Sequence, residues 1–192
     1  MTKLAIFISG RGSNMKAIVE QCQSGILKGI AQPILVFSNQ TDAAGLEYAE
    51  SKGIATECIE SKGLKRKDFD EKVLELLKNY QPDLIILAGY MRILSPVLIQ
   101  AFPKRIINIH PADTKQHQGL HGYEWAWENH LKETKITVHY VDEGLDTGSI
   151  IEQGTVDLQG ADSLEEVEKR GLAVEHNLYS ETIKKVIEKS LN

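Results

Sequence analysis

Asn108 and His110 stand two residues apart where the apolar run Ile106-Ile107-Asn108-Ile109-His110 gives out at Pro111. In an extended strand that spacing puts an amide and an imidazole on one face, with Ile109 turned to the other. Pro111 cannot donate to a ladder, so pairing ends there and both side chains emerge at the edge of a sheet. An Asn amide donates to an oxygen gaining negative charge, and a His gives or takes a proton near neutral pH. Neither residue does both tasks well alone. The alternative is a solvated exit from the sheet. A nearby carboxylate would raise the imidazole pKa and favour the cation. Asp146, between Gly144 and Gly148, is the candidate, although such a residue is also an ordinary turn aspartate. The other histidines, His117, His121, His130, His139 and His176, show no metal-ligand spacing and read as surface, packing or substrate contacts.

Two further stretches follow apolar runs. Ser9-Gly10-Arg11-Gly12-Ser13-Asn14 combines glycines that let backbone amides turn inward, two side-chain donors, a cation and the start of a helix. That combination suits a phosphate. No Gly-Lys-Ser/Thr follows, and Met15 stands where a dinucleotide fingerprint needs its third glycine, so a monophosphate fits better than ATP or NAD. A plain strand-to-helix turn remains the competing reading. Gly89-Tyr90-Met91-Arg92-Ile93-Leu94 could line an apolar slot for a flat ring, or could simply pack the next helix.

The elements that must position these residues alternate. Leu4–Ser9, Ile34–Ser38, Ile54–Ile59, Leu84–Ala88 and Arg105–Ile109 read as short strands. Helical spacing covers Asn14 to about Gln23, Ala43–Lys52 with Gly53 as a left-handed cap, Lys67–Tyr80, and Ile93–Phe102 with Pro96 in its first turn. This is the pattern of parallel βαβ units. After Pro111 it changes. Gly122–Leu131 reads as helix, Lys135–Val141 and Ser149–Val156 as an antiparallel pair, and Ser163 with Glu166 as a capping box for a long last helix. The expected fold is α/β, a Rossmann-like open twisted sheet, mostly parallel, with an antiparallel C-terminal pair and helices on both faces. Ligands then gather outside the carboxyl ends of the strands.

Composition is that of a globular protein: 192 residues, 42% hydrophobic and 26% charged. A net charge of −5 argues against a nucleic-acid partner. No stretch is long enough to span a bilayer, and the apolar run at Leu4–Ile8 is too short for a signal core, so the expected location is cytoplasmic. Cys22 and Cys58 form neither a metal spacing nor a disulfide framework. One domain over 1–192 is expected, with phosphate binding in about 1–105 and catalysis in about 106–192. Oligomeric state is not legible.

The stretches ISGRGSN, LAGYMRILS, NIHP and GLDTGSII, in that order, resemble the phosphoribosylglycinamide formyltransferases, folate-dependent enzymes of purine synthesis, from about Leu4 to Tyr179. The resemblance implies transfer of a formyl group from 10-formyltetrahydrofolate to the amine of glycinamide ribonucleotide, with no metal and no covalent enzyme intermediate. It implies that Asn108 and protonated His110 stabilise the tetrahedral oxyanion while Asp146 keeps His110 charged and orients a water that shuttles the proton. It assigns Gly12, Ser13 and Asn14 to the phosphate, with Gly10 and Arg11 shaping the loop, and Glu175 to ribose hydroxyls. An exposed helix carboxylate is the local alternative for Glu175. Met91, Arg92, Ile93, Leu94, Asn108, Val141, Asp142 and Glu143 match the folate pocket. Relatives acting on an amino-sugar nucleotide, or a divergent non-catalytic folate- or nucleotide-binding homologue, are the alternatives. One departure stands out. Family members continue after His-Pro with Ser-Leu-Leu-Pro, whereas this chain has Ala112-Asp113-Thr114-Lys115-Gln116-His117-Gln118. The missing apolar anchors predict a more mobile, wetter loop.

Overall fold

The computed structural model describes residues 1–190; residues 191 and 192, the end of the expected domain span, lie outside the described residues. The apolar runs form β1 (Thr2–Ile8), β2 (Ala31–Ser38), β3 (Ala55–Cys58), β4 (Leu84–Leu87), β5 (Ile106–His110), β6 (Glu133–Tyr140) and β7 (Ile150–Asp157). The periodic segments form α1 (Ser13–Ser24), α2 (Gly45–Ser51), α3 (Arg66–Leu77), α4 (Pro96–Ala101), α5 (Gly122–Glu128) and α6 (Leu164–Ser190). The strands make one sheet in the order β3-β2-β1-β4-β5-β6-β7. The first five run parallel, and β6 is antiparallel to both neighbours. The order reverses direction at β1 and β4, so the loops after these two strands part there and leave a crevice.

Strand alternation divides the core between the two sheet faces. Leu4, Ile6, Ile8, Ile107, Ile109, Ile136 and Val138 pack under α1, α5 and α6. Ala5, Phe7, Leu35, Phe37, Ile85, Leu87 and Ile106 pack under α3 and α4. Each fully buried Leu, Ile, Val or Phe among them contributes about 1.5–3 kcal/mol. Tyr179 of α6 is fully buried, and its hydroxyl lies 2.8 and 2.9 Å from the carbonyl oxygens of Leu87 and Ile107. That contact fixes the longest helix against the two strands that carry the candidate chemistry.

Some expected boundaries moved. β2 starts before Pro33, because β3 pairs only from Leu35 onward and the β1 register shifts at Leu4/Ala5, so no ladder partner is lost. α4 begins at Pro96 rather than Ile93, with Ser95 extended as its N-cap. α5 ends at Glu128 rather than Leu131. The capping box is half formed: Ser163 Oγ accepts the Glu166 N–H at 3.2 Å, while the Glu166 carboxylate pairs instead with Arg170.

Candidate active site

Asn108 and His110 project from β5 on the face of Ile106. His139, directly opposite Asn108 on β6, joins them. The β6–β7 connection leaves the sheet level with Ile106, where the Val141 N–H donates to the Ile106 carbonyl, and then turns back over this face. It thereby delivers Asp146, which adopts a left-handed backbone (φ 53°). One Asp146 oxygen lies 3.4 Å from His110 Nδ1 and accepts the Gly119 N–H at 2.8 Å. The other lies 3.4 Å from both Asn108 Nδ2 and His139 Nε2. The three residues singled out in the sequence thus converge.

The charge balance departs from expectation in one respect. Burial pushes the His110 pKa below the ordinary imidazole value, and the opposing pull of the Asp146 carboxylate and the His117 carbonyl does not outweigh it. Asp146 raises the His110 pKa but does not by itself offset the burial. Asp146 itself lies low: burial raises it, but the Gly119 N–H and the neighbouring His139 and His110 rings outweigh that. His110 Nε2 sits 2.9 Å from the His117 carbonyl. A carbonyl only accepts, so Nε2 carries the proton and a neutral ring leaves Nδ1 basic, facing Asp146.

A cleft of about 470 Å³ opens beside these groups. Met91, Arg92, Ile93, Leu94, Asn108, Val141 and Asp142 all line it; Glu143 does not and is exposed. Met91 and Leu145 are 65% and 46% exposed, an apolar surface at the mouth of the cleft. Tyr90 lines the cleft, and its ring packs edge-on against Phe7 of β1 at 5.4 Å rather than against the next helix. Ser9, not singled out in the sequence, ties this loop to the end of β1: its hydroxyl accepts the Met91 N–H at 2.8 Å and donates to Asn39 at 2.5 Å.

Beyond β1, Gly12 takes a left-handed conformation (φ 69°) as the N-cap of α1, and no side chain caps that helix end. Its first-turn amides are therefore free for an anion. Gly10, Arg11 and Ser13 are exposed beside it. Asn14 is turned inward, donating through Nδ2 to Glu175 Oε2 at 2.5 Å. Glu175 is only 5% exposed, so the exposed-carboxylate alternative does not hold. Its other oxygen accepts from the Tyr123 hydroxyl, a partner the sequence did not signal.

The family model for formyl transferase matches residues 2–183. The chain belongs to the formyl transferase family. It is 37% identical to the phosphoribosylglycinamide formyltransferase of Escherichia coli over 177 residues, covering 92% of this chain and 82% of that protein. To the Bacillus subtilis enzyme of the same name it is 37% identical, covering 97% of this chain and 95% of that protein. A crystal structure of phosphoribosylglycinamide formyltransferase from Bacillus halodurans superposes with a TM-score of 0.92 at 37% identity, covering 98% of this chain and 97% of that one.

Within this formyltransferase the atypical loop has polar anchors at its start, while Lys115, Gln116 and Gln118 are exposed. Ala112, Asp113 and Thr114 are buried. Asp113 Oδ1 accepts from the Lys115 N–H at 3.1 Å and from Gln153 at 3.3 Å, and Lys135 lies 3.5 Å from Oδ2. Thr137 donates to the Ala112 carbonyl at 2.7 Å. The His117 ring stacks on Trp125 with centroids 5.0 Å apart. Polar anchors replace apolar ones, and the loop backbone touches both His110 and Asp146. Among the described residues no group of three or more His, Cys, Asp or Glu is arranged to hold a metal ion, and no helix is long and apolar enough to cross a membrane.

Proposed function

We propose that this family member transfers the formyl group of 10-formyltetrahydrofolate to the primary amine of glycinamide ribonucleotide, a step of purine biosynthesis. The observation that carries the reading is the convergence of Asn108, His110 and Asp146 between an apolar cleft and an uncapped helix end. The flat pterin enters the cleft, with Met91, Ile93 and Leu94 against its faces and backbone groups of 91–94 and 141–142 at its edge. The substrate phosphate sits on the α1 amides within the Gly10–Ser13 loop, with Arg11 adding charge. Asn14 and Glu175 receive the sugar.

The amine attacks the formyl carbon and the carbonyl π electrons move to oxygen. Asn108 Nδ2–H and His110 Nε2–H stabilise that oxygen by hydrogen bonds, the Nε2–H turning to it from the His117 carbonyl while keeping its proton. The ammonium formed by attack loses its proton towards Asp146 and His110 Nδ1, directly or through a water held by Asp146. His110 thus becomes a cation as the oxyanion forms, the point at which its charge is most useful. Collapse of the oxyanion breaks the bond from carbon to the folate nitrogen, which receives the proton. The polar anchoring of 112–118, the contact of the His117 carbonyl with His110 and that of the adjoining Gly119 N–H with Asp146 weigh against a non-catalytic homologue.

Purified protein mixed with both substrates should form N-formylated product. An amino-sugar nucleotide offered in place of glycinamide ribonucleotide should give at most about 1% of that rate, since a buried hydrogen-bonding site rejects mismatched polar groups strongly. Preference for the amino sugar would reverse the assignment of the acceptor.

A further inference from the structure

We propose that Tyr123 is a positioning residue for Glu175, holding that carboxylate so that it accepts the sugar hydroxyls of a ribonucleotide acceptor; this rests on the acceptor placement proposed above. Tyr123 lies on α5, 8% exposed, and its hydroxyl donates to Glu175 Oε1. Asn14 Nδ2 from α1 donates to Oε2 at 2.5 Å. Each carboxylate oxygen therefore has one donor from a different helix, which stops rotation of the group, and each keeps a lone pair for a further donor.

Two observations point to what that donor is. The orientation of the Asn14 amide is settled by its neighbour, because its oxygen facing a carboxylate would be repelled. Asn14 Oδ1 is consequently aimed away from Glu175, and it is buried with no partner. A buried acceptor calls for a donor. A phosphate dianion cannot supply one and a sugar hydroxyl can. Asn14 and Glu175 together thus present acceptors to hydroxyl groups such as a ribose diol, which moves the Asn14 side chain from the phosphate to the sugar.

The seat of Tyr123 is shaped for it. Gly171 lies one turn before Glu175 on α6, and a Cβ there would run into the Tyr123 ring. Burial raises the Glu175 pKa, while Tyr123, Asn14 and His176 pull it back. The groups facing this carboxylate are Tyr123 from α5, Asn14 from α1 and, on its own helix, His176 and Tyr179; Glu168 in turn faces Tyr123. Removing the Tyr123 donor pushes Glu175 further up. A protonated Glu175 can no longer accept at both oxygens, so acceptor binding is lost at a higher pH as the solution is acidified.

The test is steady-state kinetics across pH for wild type, Tyr123→Phe and Glu175→Gln, with donor affinity measured alongside. Tyr123→Phe should raise the acceptor KM on the order of 10-fold, leave the donor KM unchanged, and shift the acid loss of acceptor affinity to higher pH. Gly171→Ala, which displaces the ring but keeps the hydroxyl, should reproduce the effect in part. An acceptor KM and pH profile unchanged in Tyr123→Phe, with Glu175→Gln impaired, would overturn the role of Tyr123 alone. Equal losses for both substrates with an unmoved pH profile would mark Tyr123 as merely structural and overturn it too. An unimpaired Glu175→Gln would instead remove the acceptor placement on which the inference rests.

Discussion

Met91, Ile93, Leu120 and Leu145 stand exposed around one side of the catalytic groups, whereas Asn14, Tyr123 and Glu175 are buried on the other. The first region is carried by loops over the α3/α4 face of the sheet, the second by three helices packed on the opposite face. Exposed apolar surface supplies affinity with little direction, which suits a large flat ring. Buried acceptors joined by hydrogen bonds supply direction and reject a ligand that leaves them unpaired. On the proposed reading the donor side is built to hold and release, the acceptor side to discriminate, and the transfer groups sit at the seam, where β5 ends.

Changes at the seam should have the largest effect. Asp146→Asn keeps the shape and removes the charge, and kcat should fall by at least about 100-fold with both ligands still bound. Wild-type turnover should decline as pH falls through the depressed His110 pKa, because only the neutral ring can take the amine proton at Nδ1. Asp146 pulls that pKa upward, so residual activity in Asp146→Asn should show its acid decline at lower pH than wild type. A decline moved to higher pH would contradict this assignment of the proton acceptor.

On the acceptor side, Glu175→Gln should weaken glycinamide ribonucleotide binding on the order of 10-fold, the scale of a charged buried hydrogen bond, with folate binding unchanged in calorimetry. The donor side should respond more gently and in the opposite sense of selectivity. Met91→Ser or Leu145→Ser removes apolar contact worth about 1 kcal/mol, roughly a few-fold in folate affinity, and should leave the acceptor untouched. Losses shared by both ligands in either set would erase the distinction between the two regions.

Outside both regions, Asp113→Asn should lower the melting temperature by about 2–4 °C near neutral pH. The folded-state pKa of Asp113 is depressed, so its contribution is present above the ordinary aspartate range and disappears as pH falls through the depressed value. Melting curves of the variant and wild type should therefore converge in acid. A constant gap would show that Asp113 acts through shape alone.

The strands and most helices were legible because burial on both faces leaves continuous apolar runs, and Asn108 with His110 because the pleat fixes which side chains share a face. Asp146 could be suspected but not placed: its contact with His110 depends on a loop that doubles back over the sheet, and no local pattern records that. His139 was missed as a site neighbour because a histidine in an alternating strand looks like any other; only its register opposite Asn108 gives it meaning. Glu175 reads as a solvated helix carboxylate until Tyr123 and Asn14 are seen to cover it. The polar run at 112–118 suggested looseness, yet Asp113 gathers Lys115, Lys135 and Gln153 from three places in the chain. Polar residues signal solvent only when their partners are not in sight.

The most direct measurement is transfer of a labelled formyl group from 10-formyltetrahydrofolate to glycinamide ribonucleotide by wild type and by His110→Ala, with occupancy of both ligands confirmed by calorimetry. Wild type should form product, and His110→Ala should bind both ligands and be slower by about 100- to 1,000-fold. A near-wild-type rate in His110→Ala would contradict transfer at the junction of Asn108, His110 and Asp146.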